Sequence, residues 1–423
     1  MKRLLTAALC LLTGGAATSA SAQTVEEFLE GAQHHPSVDA VRAEADVARG
    51  NVRASRFALL PSVEMAGSYT RNQIPQEFVL PSFMGEPERQ ITIVAEDQFD
   101  AAFSSRVTLV DLVAWRRLSA TDAALAAAES SADVELRALE RQVLTEFYRW
   151  VGGTALLSSS REQLEVAQTA HRLMMVRVEA GLATPIDVER AALDVLTSEQ
   201  RVTEARQTQL QASRALELLT GIPAVTPPEL VASMDPPEPL DTLLVDLDHI
   251  PDVTLADASA RAADAAAPPL WYAFIPRLEG VFTEELTNAP GFGRWARWNV
   301  QVQATWALDL ASLQTLRGNM ATASAARYRA QATSLAVADA ISRAHLQVET
   351  ALARTTTALA QLDLARHTFE LARVELGAGR LTTVSFFQAR RDFADAAANH
   401  VSAVAELALT RHLLRLTASP GSL

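Results

Sequence analysis

The chain has one cysteine, Cys10, and one lysine, Lys2, and both fall within the first 22 of its 423 residues. Those 22 residues have the form of a secretory signal. Lys2 and Arg3 give the positive start, Leu4 to Leu12 the short apolar stretch, and Ala20-Ser21-Ala22 the cleavage site before Gln23. Cys10 follows Leu9 inside the apolar stretch, away from the cleavage point, so no lipid anchor is expected. A mature chain without cysteine has no disulfide and no thiol chemistry. Without lysine it has no Walker-type phosphate ligand, no Schiff base and no Ser–Lys nucleophile. Beyond the signal, no apolar run approaches the roughly 20 residues of a transmembrane helix. G-x-S-x-G, H-E-x-x-H, Gly-rich phosphate loops and paired-acid signatures are missing too. No catalytic, cofactor or metal site is therefore expected. Loss of Lys2 and Arg3, with no acid lost, takes the formal charge from −13 to −15. Such a chain makes a poor nucleic-acid binder.

What is present is a long internal repeat. His34-His35-Pro36-Ser37-Val38 returns as His249-Ile250-Pro251-Asp252-Val253, and Leu60-Pro61-Ser62-Val63 as Ile275-Pro276-Arg277-Leu278, both at a shift of 215. From Asp111-Leu112, returning as Asp309-Leu310, the shift is 198; Gly181, Thr184, Ala191 and Asp194 return as Gly379, Thr382, Ala389 and Asp392. Near the end, Arg214, Leu216 and Leu219 return as Arg411, Leu413 and Leu416 at a shift of 197. A duplication of this length makes each half a structural unit that packs on its copy. The change from 215 to 198 places 17 extra residues in the first copy between Pro61 and Asp111, the mark of a longer loop. The expected organisation is a signal over 1–22, a first repeat over 23–222, a Pro-rich linker over 223–248 and a second repeat over 249–423.

Most of the mature sequence has a helical period. Leu164, Ala167, His171, Met174 and Val178 have coiled-coil spacing, and Leu362, Ala365, Phe369, Ala372 and Leu376 repeat it 198 residues on. Proline is absent from Leu118 to Ala180, enough for one helix of roughly 90 Å. Gly152-Gly153 interrupts it and suggests a hinge or kink. A second helix is expected from Pro185 to Thr220; the second copy should run from Ala311 to Ala378 and from Ser385 to Leu416.

Two segments per half alternate instead. Val63, Met65 and Tyr69 are apolar between polar neighbours, as are Phe99, Ala101, Phe103, Val107 and Leu109. Leu278, Gly280 and Phe282 alternate in the second copy, and so do Trp298, Val300, Val302, Ala304 and Trp306. Period two with aromatics toward the ends suits membrane-spanning strands, and equally a half-buried soluble sheet. The 17-residue excess, with Pro75, Pro81, Gly85 and Pro87, is expected to be an irregular exposed loop. Four strands cannot close a barrel, and open edges are not tolerated in lipid, so spanning strands would need other copies of the chain.

Pro36-x-Val38, Leu60-Pro61-Ser62, the two strand hairpins, the two long helical hairpins and the Ala-Gly-x-x-Thr turns together resemble the TolC-like outer-membrane efflux channels, over about Val25 to Thr417. The resemblance implies a mainly α fold with membrane β: a homotrimer with a 12-stranded β-barrel in outer-membrane lipid and a 12-helix α-barrel in the periplasm. It also implies a periplasmic adaptor and an inner-membrane transporter as partners, in efflux or type I secretion. The adaptor-contacting tips would be Gly181, Leu182, Thr184 and Asp187 in one turn, and Gly379, Arg380, Thr382 and Val384 in the other. Some relatives carry two aspartates after the second turn; Ser385 and Gln388 stand there, leaving Asp187 the nearest carboxylate for a pore gate. An ordinary reading of Asp187 is a helix N-terminal cap. The lipid-facing residues would be Phe103, Val107, Trp298, Val300, Val302 and Trp306.

His34-His35 point different ways on a helix end and fit no metal site. His171 fits packing or a pore edge, and Glu284-Glu285 solvated charge at a hairpin end. Trp295, Trp298 and Trp306, with Arg294 and Arg297, suit an interfacial aromatic belt. The rival reading is a periplasmic coiled-coil scaffold or adaptor without a barrel, which would not need four alternating strands. The transported substrate is not written in the sequence.

Overall fold

The structure, a computed structural model, describes residues 22–82, 87–306 and 310–420. The signal segment up to residue 21, Gly85 and Asp309 lie outside the described residues. Two compact units draw on both halves of the repeat. One comprises the described parts of 1–35, 137–243 and 341–423, the other 36–136 and 244–340.

In the second of these units, α1 (Val25–Ala32) has already ended and α2 (Pro36–Phe57) leads into β1 (Ser62–Arg71). There follow β2 (Gln76–Leu80), β3 (Arg89–Val94), β4 (Asp97–Val110) and the start of α3 (Leu112–Glu179). The chain returns to this unit through α6 (Pro251–Ala266), β5 (Arg277–Thr287), β6 (Ala296–Thr305) and the start of α7 (Leu310–Gly377). Strands β1, β4, β5 and β6 form one antiparallel sheet in the order β1-β4-β5-β6. The inner pair comes from different halves of the repeat. Residues directly opposite in an antiparallel ladder share a face, and the register gathers the large apolar side chains on one side of the sheet. Val63, Met65, Phe99, Phe103, Val107, Phe282, Trp298, Val300 and Val302 fall on one face. Glu64, Asp100, Arg106, Glu279, Thr283, Asn299, Gln301 and Gln303 fall on the other.

The extra stretch of the first copy is not irregular. β2 and β3 pair as a separate antiparallel ribbon, with Pro75 and Pro81 flanking β2 and Pro87 ahead of β3. Proline is tolerated at strand ends, where it removes no ladder hydrogen bond, so it bounds the ribbon rather than breaking it. The ribbon is held by the β5–β6 connection: the Gly291 N–H donates to the Thr92 carbonyl at 2.9 Å, and the Phe78 and Phe292 rings lie 5.8 Å apart.

The other unit holds α1, the later part of α3, α4 (Pro185–Thr220), the short α5 (Leu240–Leu243), the later part of α7, and α8 (Thr383–Ala418). Phe28 of α1 is fully buried against Phe147 and Trp150 of α3, with ring centroids 5.8 and 5.9 Å away. Helices α3 and α7 both have 68 residues, and α4 and α8 both have 36, each pair offset by 198. The slip to 197 in matching residues is therefore not accompanied by any difference in length between α4 and α8. Gly152 and Gly153 do not break α3. A Cβ at Gly152 would lie 2.8 Å from the Ala405 Cβ of α8, and one at Gly153 would lie 3.3 Å from the backbone of Gln209 in α4. At these glycines α8 and α4 approach α3 closely, which corrects the expected hinge. The segment after Pro223 is mostly non-helical and contains α5 and a 3₁₀ turn at Leu247–His249. Gln23 pins its start, donating to the Pro223 carbonyl at 2.9 Å and accepting from the Val225 N–H at 2.7 Å.

Candidate functional sites at the hairpin turns and on the sheet

Each long helical hairpin turns through the same motif. In the first, the Leu182 N–H donates to the Arg177 carbonyl at 2.8 Å and the Gly181 N–H to the Val178 carbonyl at 3.0 Å. In the second, Arg380 donates to Glu375 at 2.9 Å and Gly379 to Leu376 at 3.1 Å. These paired bonds form a Schellman cap, which needs a left-handed residue that glycine supplies without strain. Gly181 and Gly379 both sit at φ 71°.

The next helices begin with unlike caps. Asp187, only 8% exposed, accepts from the Thr184 N–H at 3.0 Å and the Thr184 hydroxyl at 2.7 Å. This is the reach-back half of a capping box. The Thr184 hydroxyl, more than its N–H or the nearby Arg190, holds the Asp187 carboxyl below the usual carboxylate range. Ser385 occupies the same place in the second copy, where its N–H donates to the Thr382 hydroxyl at 3.3 Å. Gln388 donates to Asp392 at 2.9 Å. Leu182 and Val384 are exposed beside these caps.

Behind the turns, all four helices share one core. Ala170 and Met174 of α3, Ala191 of α4, Phe369, Ala372 and Leu376 of α7, and Phe386, Phe387 and Ala389 of α8 pack together. The second copy supplies the aromatics and the first the small partners: Phe369 repeats His171, and Phe386 repeats Val188. The expected seam is buried at Phe369, Ala372 and Leu376 in the second copy and at Ala167 and Met174 in the first. There Gln163 and Ala170 are buried, while Leu164 and His171 are only half-buried.

Two cross-links missed in the sequence tie the hairpins together. Arg177 of α3 donates to the Leu376 carbonyl of α7 at 2.9 Å. Arg390 of α8, 2% exposed, pairs with Asp194 of α4. Arg390 Nε and Nη1 and Asp194 Oδ2 have no hydrogen-bond partner there. The recurrence of Asp194 as Asp392 was a partial signal. Nothing in the sequence showed that Arg390, rather than the exposed Arg391, turns inward.

On the sheet, Phe103, Val107, Trp298, Val300 and Val302 occupy the apolar face, and Trp306 lies one residue beyond β6. Trp298, Val300, Val302 and Trp306 are each more than half exposed in the single chain. The polar face carries paired charge: Arg297 donates to Glu285 at 2.6 Å, and Arg277 lies 3.3 Å from Asp111. Glu284 departs from the expectation of solvated charge at a hairpin end. It sits inside β5 on the apolar face, opposite Phe103 and Trp298, and is half-buried. The Phe103 and Trp298 rings flank Phe282 at 6.1 and 6.5 Å. Among the described residues, no group of histidines, cysteines and acids could hold a metal ion, and no helix is long and apolar enough to cross a membrane.

Comparison with known proteins agrees with this geometry. The antibiotic efflux pump outer membrane protein ArpC of Pseudomonas putida is 28% identical over 240 residues, covering 55% of this chain and 48% of that protein. The toluene efflux pump outer membrane protein TtgC of Pseudomonas putida matches to the same extent. The matched segment thus spans about half the length of these curated relatives. Among solved structures, the outer-membrane channel OprN superposes with a TM-score of 0.80 at 18% identity, covering 94% of this chain and 90% of that one. The outer membrane protein VceC from Vibrio cholerae gives 0.79 at 16% identity, covering 93% and 96%. These likenesses establish the fold, mainly helical and of the outer-membrane-channel type. The model of the outer membrane efflux protein family matches residues 30–222 and 247–422, so the chain belongs to that family and its place is the outer membrane.

Proposed function

We propose that three copies of the chain form a passive exit duct of a tripartite efflux system. The observation that carries this reading is the four-stranded sheet with its large apolar side chains gathered on one face and two free edges, β1 and β6. A free edge in hydrocarbon leaves backbone groups unsatisfied, each at several kcal/mol, so β6 of one copy must pair with β1 of the next. Three copies make a 12-stranded barrel with its apolar face toward lipid and its polar face toward the lumen, and the helical hairpins make a 12-helix tube. The duct performs no catalysis. An inner-membrane transporter supplies the energy, and a periplasmic adaptor contacts the turns through Gly181, Leu182, Thr184, Gly379, Arg380, Thr382 and Val384.

The gate lies at those turns. Asp187, Ser385 and Gln388 line it, and opening draws them apart when adaptor and pump bind. Asp187 serves both as helix cap and as the carboxylate nearest the pore. The relatives' names refer to antibiotics and toluene, which favours small organic molecules as cargo over exported proteins. Fractionation of membranes and sizing in detergent test the assembly: an outer-membrane trimer is expected, and a soluble monomer overturns the duct. Susceptibility profiling of a deletion strain tests the cargo. Sensitivity to several unrelated organic compounds is expected, and unchanged tolerance with lost protein secretion would redirect the reading to type I secretion.

A further inference from the structure

A groove of about 810 Å³ runs along α4. Gln207, Leu210, Arg214 and Leu218 line it, and its other lining residues belong to α4 as well. Leu210 is 54% exposed and Leu218 79%, and Leu193 and Leu196, at 64% and 61%, continue the same face toward the turn. We propose that α7 of a second copy seats on this face, in the register that α3 keeps on α8 within one chain. The proposal rests on the duct reading and names the joint between its copies.

The internal repeat sets that register. In a head-to-tail ring, the first half of one chain touches its own second half on one side and the second half of a neighbour on the other. Each contact between halves inside the chain then has a counterpart between chains, displaced by the 198 residues that separate α3 from α7 and α4 from α8. Inside the chain, α3 lies on α8. A Cβ on Gly152 would come 2.8 Å from that of Ala405, the Tyr148 hydroxyl and His412 Nδ1 are 2.9 Å apart, and Arg137 donates to the Leu416 carbonyl at 3.1 Å. The α8 row met in this way is Ala405, His412 and Leu416. Displaced by 198, it becomes Gln207, Arg214 and Leu218, the bare row of the groove. The displaced partners of Gly152 and Tyr148 are Thr350 and Leu346 of α7, both exposed in the single chain. The two rows that the repeat matches are thus both uncovered, and a neighbouring copy brings them together.

The joint between copies differs chemically from the one inside the chain. Thr350 and Gln207 stand where Gly152 and Ala405 meet, so these helices lie further apart. A widening of about 1 Å takes the two Cβ atoms into the roughly 3.5–4.5 Å range of a disulfide. The ion pairs between α4 and α8 have no counterpart either. Arg201 with Asp395, 2.9 Å apart, becomes Asn399 with Thr197, and Arg390 with Asp194 becomes Asp392 with Ala192. Side-chain packing rather than paired charge therefore joins the copies along this face.

The test uses full-length protein in isolated outer membranes, in a Cys10→Ala background where the engineered thiols are the only ones. Thr350→Cys with Gln207→Cys, oxidised by copper phenanthroline, is expected to give bands of two and three joined chains on a non-reducing gel. Coexpressed single variants should give joined pairs only. Moving the first thiol to Thr357→Cys, two turns or about 10 Å along α7, should lower linking about tenfold. A second pair, Leu346→Cys with Arg214→Cys, corresponds to Tyr148 and His412, whose ring centroids lie 5.3 Å apart, so a short bifunctional thiosulfonate should join it. All four positions of the two pairs are exposed in the single chain, which leaves its core intact. Equal linking at the shifted position, or no linking by either pair in an intact oligomer, gives the groove to another occupant and overturns the proposal. Recovery of single chains only, in detergent and without oxidation, sinks the duct itself.

Discussion

Arg390 and Asp194 form an ion pair almost closed to solvent, with three of their polar atoms otherwise unpartnered. Removing one member strands a buried charge, which costs about 3–5 kcal/mol, whereas replacing both with apolar groups of similar size is often close to neutral. Arg390→Met should therefore lower the thermal midpoint sharply, and Arg390→Met with Asp194→Leu should recover most of the loss. A double variant no more stable than the single would contradict the burial argument. Asp187 acts through hydrogen bonds to Thr184 at the start of α4. Asp187→Ala should cost about 1 kcal/mol, the usual loss for a cap. Its native pKa is depressed, so its contribution is fully present above the unfolded value of about 3.9 and is lost as pH falls through the lower native value. Wild type and Asp187→Ala should thus converge in stability below about pH 4 and diverge above it. The capping role was legible in the sequence because Thr184 and Asp187 are three residues apart beside Pro185. The Arg390 pair was not, because it joins segments nearly 200 residues apart and depends on which way one of two adjacent arginines turns.

Helices and strands were legible where periodicity acts locally. Pro185 and Gly221 bound α4, and the alternation around Trp298 locates β6. Gly152-Gly153 was misleading because helix propensity is a local property, while the reason for these glycines lies on α8 and α4. The ribbon was missed because its prolines suggested an irregular exposed loop, when they only bound its strands. The glycines allow a test of opposite signs. Gly152→Val should destabilise by roughly 1–3 kcal/mol through overpacking against Ala405. Gly318→Ala should stabilise by about 0.5–1 kcal/mol, since nothing lies within 4 Å of its Cβ and α7 continues through it. Chemical denaturation in detergent would measure both; two losses would mean α7 packs on something at Gly318 that the isolated chain lacks.

For the whole molecule, the repeat gives more than two similar halves. The two copies keep identical helix lengths, yet only the second supplies the aromatic core behind the turns, and only the first carries the ribbon. Assembly was legible only as a requirement, from strands too few to close. Facing is the first consequence: Val300→Arg should cost roughly 2–4 kcal/mol near the bilayer centre and deplete assembled protein, while Gln301→Arg on the polar face should be mild. The reverse order would invert the sheet. The most direct test of the account is the mass of the full-length protein extracted from outer membranes in detergent. Three chains per particle, with no soluble pool, is the result the duct reading predicts, and the free edges of β1 and β6 call for at least one further copy. A stable single chain in the soluble periplasmic fraction would contradict it.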